Sequence, residues 1–225
     1  MRVKWDQDGE RLYETGTDRG MLYLKKDGAY PFGVAWNGLR SVEESPSGAE
    51  PTALYADNIK YLSLMSTEEY AATIGVYTYP DEFKQCNGEA TVADGVTIGQ
   101  QTRRAFGFCY RTIVGNDEAY NDYGYKLHII YNALAKPSSK SYETVNDSPA
   151  AVELSYEVST TPVDVQGYKP TATVVIDSTK TTPTKMAKIE DILYGTDTSD
   201  PRLPLPEEIM EIMKAPEDVS SDDEI

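Results

Sequence analysis

A side-chain period of two, recurring in four separate stretches, constrains this chain more than any other feature. In AFGFCYRTIV (105–114) one face reads Phe106, Phe108, Tyr110, Thr112 and Val114. In YKLHIIYNA (125–133) it reads Tyr125, Leu127, Ile129, Tyr131 and Ala133. In VELSYEV (152–158), Val152, Leu154, Tyr156 and Val158 oppose Glu153, Ser155 and Glu157, and in ATVVI (172–176) the apolar face is Ala172, Val174 and Ile176. Successive side chains of a strand point to opposite faces, so such segments are expected as half-buried strands. Breaks rich in Gly, Asn and Asp, such as GNDEAYNDYG (115–124), separate them. Seventeen tyrosines and many Thr and Val residues favour the same state.

Helical signals are few. PDEFKQCNG (80–88) has Pro in its first turn, acids after it, Lys84 late and Gly88 as a stop. TKMAKIEDILYG (184–195) puts Met186, Ile189, Ile192 and Leu193 on one face, with Thr184 as a candidate cap. PEEIMEIMKAP (206–216) allows two turns with Ile209, Ile212 and Met213 on one side, too short to stand without a partner surface. The expected class is mainly β: a β-sandwich or barrel with a short flanking helix, a long hairpin and a second helix near the C-terminus.

Charge divides the chain. It carries 37 acids and 21 bases, a formal net of −16. Residues 196–225 hold ten acids and two bases, so residues 1–195 hold 27 and 19, and each part is net −8. Residues 1–195 are therefore expected as the β domain and 196–225 as an acidic, Pro-rich tail. Leu203, Leu205, Ile209, Ile212 and Met213 give that tail an apolar side that solvation does not require. They are expected to dock on the subunit's own outer face or a neighbour's, with residues 216–225 mobile. So acidic a chain is ill suited to gripping nucleic acid through phosphates. The start, MRVKWDQDGERL, has no apolar run of a secretory leader, and no stretch has the roughly 18 apolar residues of a membrane span. A soluble protein made in the cytoplasm, with no membrane partner, is expected.

Chemistry-bearing patterns are sparse. The single histidine, His128, lies mid-strand, where a satisfied structural role outweighs a catalytic one. With Cys86 and Cys109 it makes three candidate zinc ligands in no metal-binding spacing. The two cysteines allow a disulfide and do not demand one. Asp57-Asn58 and Asn116-Asp117 lack the calcium-loop pattern and read as turn residues. Lys25-Lys26 and Arg103-Arg104 are isolated basic pairs, read as solvated faces. No phosphate-binding loop occurs. No enzyme activity, cofactor or metal is expected.

Taken in order, VAWNGLRSVEESPSGAEPTALYADNIKYLSL, YTYPDEFKQCNGE, GQQTRRAFGFCYRTIVGND, GYKLHIIYNALAKPS, ETVNDSPAAVELSYEVSTTPV and GYKPTATVVIDS resemble the siphophage major tail proteins, or tail tube proteins, over about residues 9–195. The resemblance implies a structural virion protein of the phage tail, made in the host bacterial cytoplasm. Such proteins form rings of six that stack into a tube through which DNA is ejected. The partners implied are the subunit itself, the tape measure protein, the tail terminator and the distal tail or baseplate protein. DNA passes without specific binding, and an acidic lumen suits that passage. The chain stops before the extra immunoglobulin-like domain that many relatives carry, so none is expected.

The resemblance also implies a long hairpin that reaches the neighbouring ring. Its arms are expected at residues 34–42 and 52–65. Its tip is expected at Val42, Glu43, Glu44, Ser45, Pro46, Ser47, Gly48, Ala49, Glu50 and Pro51, where the glutamates keep free subunits apart. Asp57, Asn58, Lys60 and Tyr61 are the candidate inter-subunit strand. Two other classes stay open on the residues alone: a β-barrel module for a small ligand or glycan, and a hydrolase with two carboxylates.

Overall fold

The structure, a computed structural model, describes residues 2–144, 147 and 151–216. The end expected to be mobile lies, from residue 217 onward, outside the described residues. In chain order the elements are β1 (Tyr13–Leu24), β2 (Gly33–Ala35), β3 (Leu39–Glu44), β4 (Pro51–Ala56), β5 (Ile59–Met65), β6 (Ala71–Val76), α1 (Phe83–Cys86), β7 (Ala90–Ala93), β8 (Val96–Ile98), β9 (Phe106–Asn116), β10 (Tyr120–Ala135), β11 (Leu154–Thr160), β12 (Thr173–Asp177), α2 (Pro183–Tyr194) and α3 (Pro206–Lys214). The protein is mainly β. One antiparallel sheet runs β2-β1-β9-β10-β11-β6-β3, with β12 beside β10, and β4-β5 and β7-β8 form separate two-stranded ribbons.

The large sheet curls, so that Trp36 after β2 meets Ile74 and Val76 of β6 in one core. Trp36 is its hub: its ring lies 4.4 Å from Phe83 and 5.5 Å from Phe108 between centroids, and its Nε1 donates to Thr78 O at 2.9 Å. The short α1 exists to deliver Phe83 and Cys86, both buried, into that core. Apolar burial of this kind, about 1.5–3 kcal/mol per large side chain, is the main force holding the curl.

A second core lies on the other face of the same strands. Met21 and Tyr23 of β1, Cys109 of β9, and Leu127, Ile129 and Tyr131 of β10 pack beneath Met186, Ile189 and Leu193 of α2 and Ile209 of α3. The half-buried expectation for β9 and β10 is therefore corrected. Residues 106–110 and 129–133 are buried on both faces, because the barrel interior takes one and the C-terminal helices take the other.

The β10 alternation also fails at one point. Asn132 has φ 48° and sits at a register shift between Ile130 and Ala133. That extra residue swaps the faces. Leu127, Ile129 and Tyr131 lie in the outer core, whereas Ala133 and Ala135 lie in the inner one. The bulge is held by Tyr30, whose hydroxyl donates to Asn132 Oδ1 and accepts from its N–H, both at 2.9 Å. Before the bulge β10 pairs with β12; after it, with β11.

Residues 196–214 are strapped to the body. Leu203 N donates to Tyr30 O at 3.1 Å, Gly33 N to Pro201 O at 2.9 Å, and Tyr131 Oη to Pro204 O at 2.8 Å. Arg202 forms a two-pronged ion pair with Glu208. Leu203 and Ile209 are buried, Ile212 and Met213 pack at the edge of the core, and Leu205 is 40% exposed. No helix among the described residues is long and apolar enough to cross a membrane.

Candidate assembly surface

The hairpin expectation needs correction in its pairing. Residues 34–42 and 52–65 do not pair with one another. β3 pairs with β6, and β4 pairs with β5. The chain reverses at Asp57 and Asn58, both with positive φ (49° and 62°), the conformation of a two-residue hairpin turn. Residues 42–51 are thus the root of the hairpin, and its tip lies at residues 57–58. The misreading came from the Pro- and Gly-rich composition of the root, which mimics a turn.

The root has three parts. Val42, Glu43 and Glu44 belong to β3 and stay in the barrel ladder, with Glu44 opposite Ala72. Ser45 N donates to Ala71 O, and Ser47 exchanges hydrogen bonds with Glu69, each at 2.8 Å. Beyond that the ladder stops at Gly48 (φ 87°), Ala49 (φ 56°) and Glu50, and resumes at Pro51 opposite Met65. Gly48 lies so close to Thr67 O that a Cβ there would collide with it. Pro46 and Pro51 bracket this joint and supply no backbone N–H. The outer ribbon is therefore attached to the barrel through a joint whose strands are unpaired over a few residues.

Glu44 anchors the root to the barrel wall. Tyr110 Oη donates to Glu44 Oε1 at 2.6 Å, and the Tyr110 ring stacks on His128 with centroids 4.6 Å apart. His128 Nδ1 stands 3.6 Å from the same carboxylate oxygen, and its Nε2 lies 2.9 Å from Thr112 Oγ1. The close approach of His128, opposed by partial burial and joined by the Tyr110 hydroxyl, holds the Glu44 carboxyl at about 2. Burial and that carboxylate push the Tyr110 phenol well above its ordinary value. Glu44, though exposed like Glu43 and Glu50, is thus tied to the root by its partners. A cleft of about 460 Å³ opens beside this group, between β1 and β3, and includes Glu14, Arg40, Tyr110 and His128 in its lining.

The ribbon itself is exposed on both faces. In its register Leu54 stands opposite Leu62 and Thr52 opposite Leu64, so these four share one face. A register shift between Leu54 and Tyr55 follows, beside Lys60 and Tyr61. Leu64 is 56% exposed, Ile59 64%, Tyr61 69% and Met65 70%. Asp57 and Asn58 form the turn, Lys60 and Tyr61 lie in β5, and no buried position occurs in β4 or β5. An isolated two-stranded ribbon is marginal in water. One that also exposes a leucine face is incomplete without a covering surface. Leu54, Leu62 and Leu64 were missed by the sequence reading, although the alternation in IKYLSLM carries the signal. The smaller β7-β8 ribbon, with Val92, Val96 and Ile98 exposed, was missed too.

The two cysteines are free and buried in different cores. Burial pushes the Cys86 thiol up to about 12 and the Cys109 thiol higher still, so neither is a ready nucleophile.

No family model matches the chain, and no curated protein matches it. Ten solved chains match in structure. One belongs to the cryo-EM structure of the anti-feeding prophage (AFP) baseplate, 6-fold symmetrised. It is 9% identical, covers 80% of this chain and 99% of its own, and gives a TM-score of 0.35.

Proposed function

We propose that this protein is a structural subunit of a phage tail tube that polymerises as stacked rings of six, and that it has no catalytic role. The observation that carries the reading is the β4-β5 ribbon, jointed to the barrel and bearing Leu54, Leu62 and Leu64 exposed, with no cover among the described residues. The ordered sequence resemblance over about residues 9–195 and the mainly β fold support it. A ribbon on one flank that meets a different surface of the next copy is a heterologous contact, which closes a ring or continues a filament.

In this reading the partners are other copies of the subunit, the tape measure protein along the lumen, the tail terminator at one end and the distal tail or baseplate protein at the other. The tube belongs to the virion tail and is built in the host bacterial cytoplasm. DNA crosses an acidic lumen without being held, since a basic lining would retain phosphates.

Negative-stain microscopy of concentrated protein tests this directly. Rings or tubes are expected. Replacing residues 51–65 by a two-residue turn should leave the circular dichroism of the monomer native and abolish them. Monodisperse globules from the intact chain at every concentration and salt would overturn the reading in favour of a binding module.

A further inference from the structure

A groove between β12 and α3 is apolar along its floor and basic at both ends. Its upper part, about 300 Å³, is lined by Tyr168, Val174, Pro206, Ile209 and Met210 among others, with Lys169 at that end. It shares Val174, Ile209 and Met210 with a lower part of about 460 Å³. The lower part reaches Met213 and holds Lys180, Lys185 and Thr182. Asp177 is the one acid in the lining, against three lysines, and Lys180 stands 3.8 Å from it. Lys185 donates to Met213 O at 2.7 Å, which holds its ammonium group at the rim.

The start of α2 opens on the same lower end. Thr182 precedes the helix without a side-chain capping hydrogen bond, and the first turn holds no acid. The Thr182 hydroxyl is buried and has no partner among the described residues. The first turn of a helix leaves backbone N–H groups unpaired and carries partial positive charge. With the lysines beside it, this end of the groove calls for an anion.

We propose that residues 217–225 of the same chain occupy the groove, their carboxylates against its lysines and the start of α2. These residues lie outside the described ones. Their sequence, EDVSSDDEI, has five acids and no base, with Val219 and Ile225 to meet an apolar floor. Opposite charge favours the contact. Position favours it over any second molecule. α3 ends at Lys214, one residue past Met213, and Ala215 (φ −56°, ψ 137°) takes the chain out of the helix. The segment therefore starts at the lower end of the groove, close to Lys185. Nine extended residues span about 30 Å, whereas the nine of α3 rise about 14 Å. The segment can turn back and run the whole groove to Lys169. So short a tether keeps it at an effective concentration in the millimolar range. The proposal concerns a single copy and does not rest on the tube reading.

The test uses full-length chains, dilute enough to stay monomeric, with Cys86 and Cys109 replaced by alanine. Val219, three residues past Pro216, reaches back about 10 Å, and Met210 lies about 6 Å behind Lys214. One variant pairs Val219→Cys with Met210→Cys on the groove floor. The other pairs it with Glu211→Cys, next in sequence and exposed. Dibromobimane, a short reagent that joins two thiols, should link 219 to 210 within one chain about fivefold or more faster than 219 to 211. At 1 M salt, where screening acts within about 3 Å, the two rates should converge. Lys180→Gln with Lys185→Gln should at least halve the preference and keep native circular dichroism. Equal rates for the two pairs at low salt would overturn the proposal. A preference for 211, or one that the lysine changes leave intact, would do the same. Links between chains in place of links within one would assign the groove to a second copy, and would overturn it too. Whether the protein forms tubes is read separately by microscopy and alters none of these outcomes.

Discussion

β9 and β4-β5 are built from similar residues and meet opposite fates. Phe106, Phe108 and Tyr110 alternate as cleanly as Leu62 and Leu64, and both segments are strands. Yet β9 is buried on both faces over residues 106–110, and the ribbon has no buried residue at all. The difference lies in what the rest of the chain supplies. Trp36 and Phe83 arrive over one face of β9 and α2 over the other, whereas among the described residues no second layer reaches the ribbon. Coverage is a property of the fold, and a strand left uncovered marks a surface that another molecule completes.

The largest test of this contrast compares core and ribbon deletions. Phe108→Ala should destabilise the monomer by about 3–5 kcal/mol in urea melts. The triple change Leu54→Ser, Leu62→Ser, Leu64→Ser should shift the monomer by no more than about 0.5 kcal/mol while removing rings and tubes. A ribbon triple as damaging to the monomer as the core change would break the comparison.

Glycines sharpen it next. A Cβ at Gly107 would run into Leu203 and the Tyr30 ring under the C-terminal strap, and Leu203 is itself buried. Gly107→Ala should cost about 1–3 kcal/mol. Gly99 has no neighbour within 4 Å of a built Cβ, so Gly99→Ala should stay within about 0.5 kcal/mol of wild type. Thermal melts of the two variants decide this.

A smaller effect concerns the root, and it depends on pH. The Glu44 carboxyl is lowered to about 2 from its ordinary 4.5, so its ionised form favours the folded state. That contribution is whole above about pH 4.5 and is lost as pH falls through about 2. Glu44 is 40% exposed, so water screens the interaction and leaves about 1 kcal/mol. The stability difference between wild type and Glu44→Gln should therefore shrink from pH 6 to pH 2.5, beyond any general acid effect. A constant difference would remove Glu44 from the anchor.

The smallest effect is at the ribbon tip. Asn58 has φ 62°, where glycine is free of side-chain strain. Asn58→Gly should strengthen the ribbon by a few tenths of a kcal/mol, seen as slower amide exchange in β4 and β5 and no change in the barrel. Faster exchange would show that the Asn58 side chain holds the turn.

The strands of the barrel were legible because burial writes a period into the sequence. Their double-sided burial was not, since the helices that cover the outer face lie more than fifty residues further along. Asn132 hid for a different reason: a bulge breaks the pattern without any turn residue to announce it, and only Tyr30, a hundred residues away, explains why it persists. β1 escaped notice because residues 13–20 are polar and only its last residues enter a core. The ribbon was placed in the right region with the wrong tip, because two prolines and a glycine at a joint look like the end of a hairpin. Nothing in the linear pattern pairs His128 with Glu44, which meet only when β3 closes against the barrel wall.

The strap from Tyr23 to α2 sets an order in time. The Tyr23 hydroxyl waits for Leu193 O, 170 residues further along the chain, so the outer core closes only after α2 has left the ribosome. The β4-β5 ribbon needs nothing beyond its own fifteen residues and zips on a microsecond timescale. Contacts between distant parts of a chain form slowly. During synthesis the ribbon therefore forms long before the body that carries it, and it opens and closes repeatedly until β3 and β6 pair and hold its base. A nascent chain passes through an interval in which its apolar ribbon has formed and its body has not, when a chaperone has most to protect.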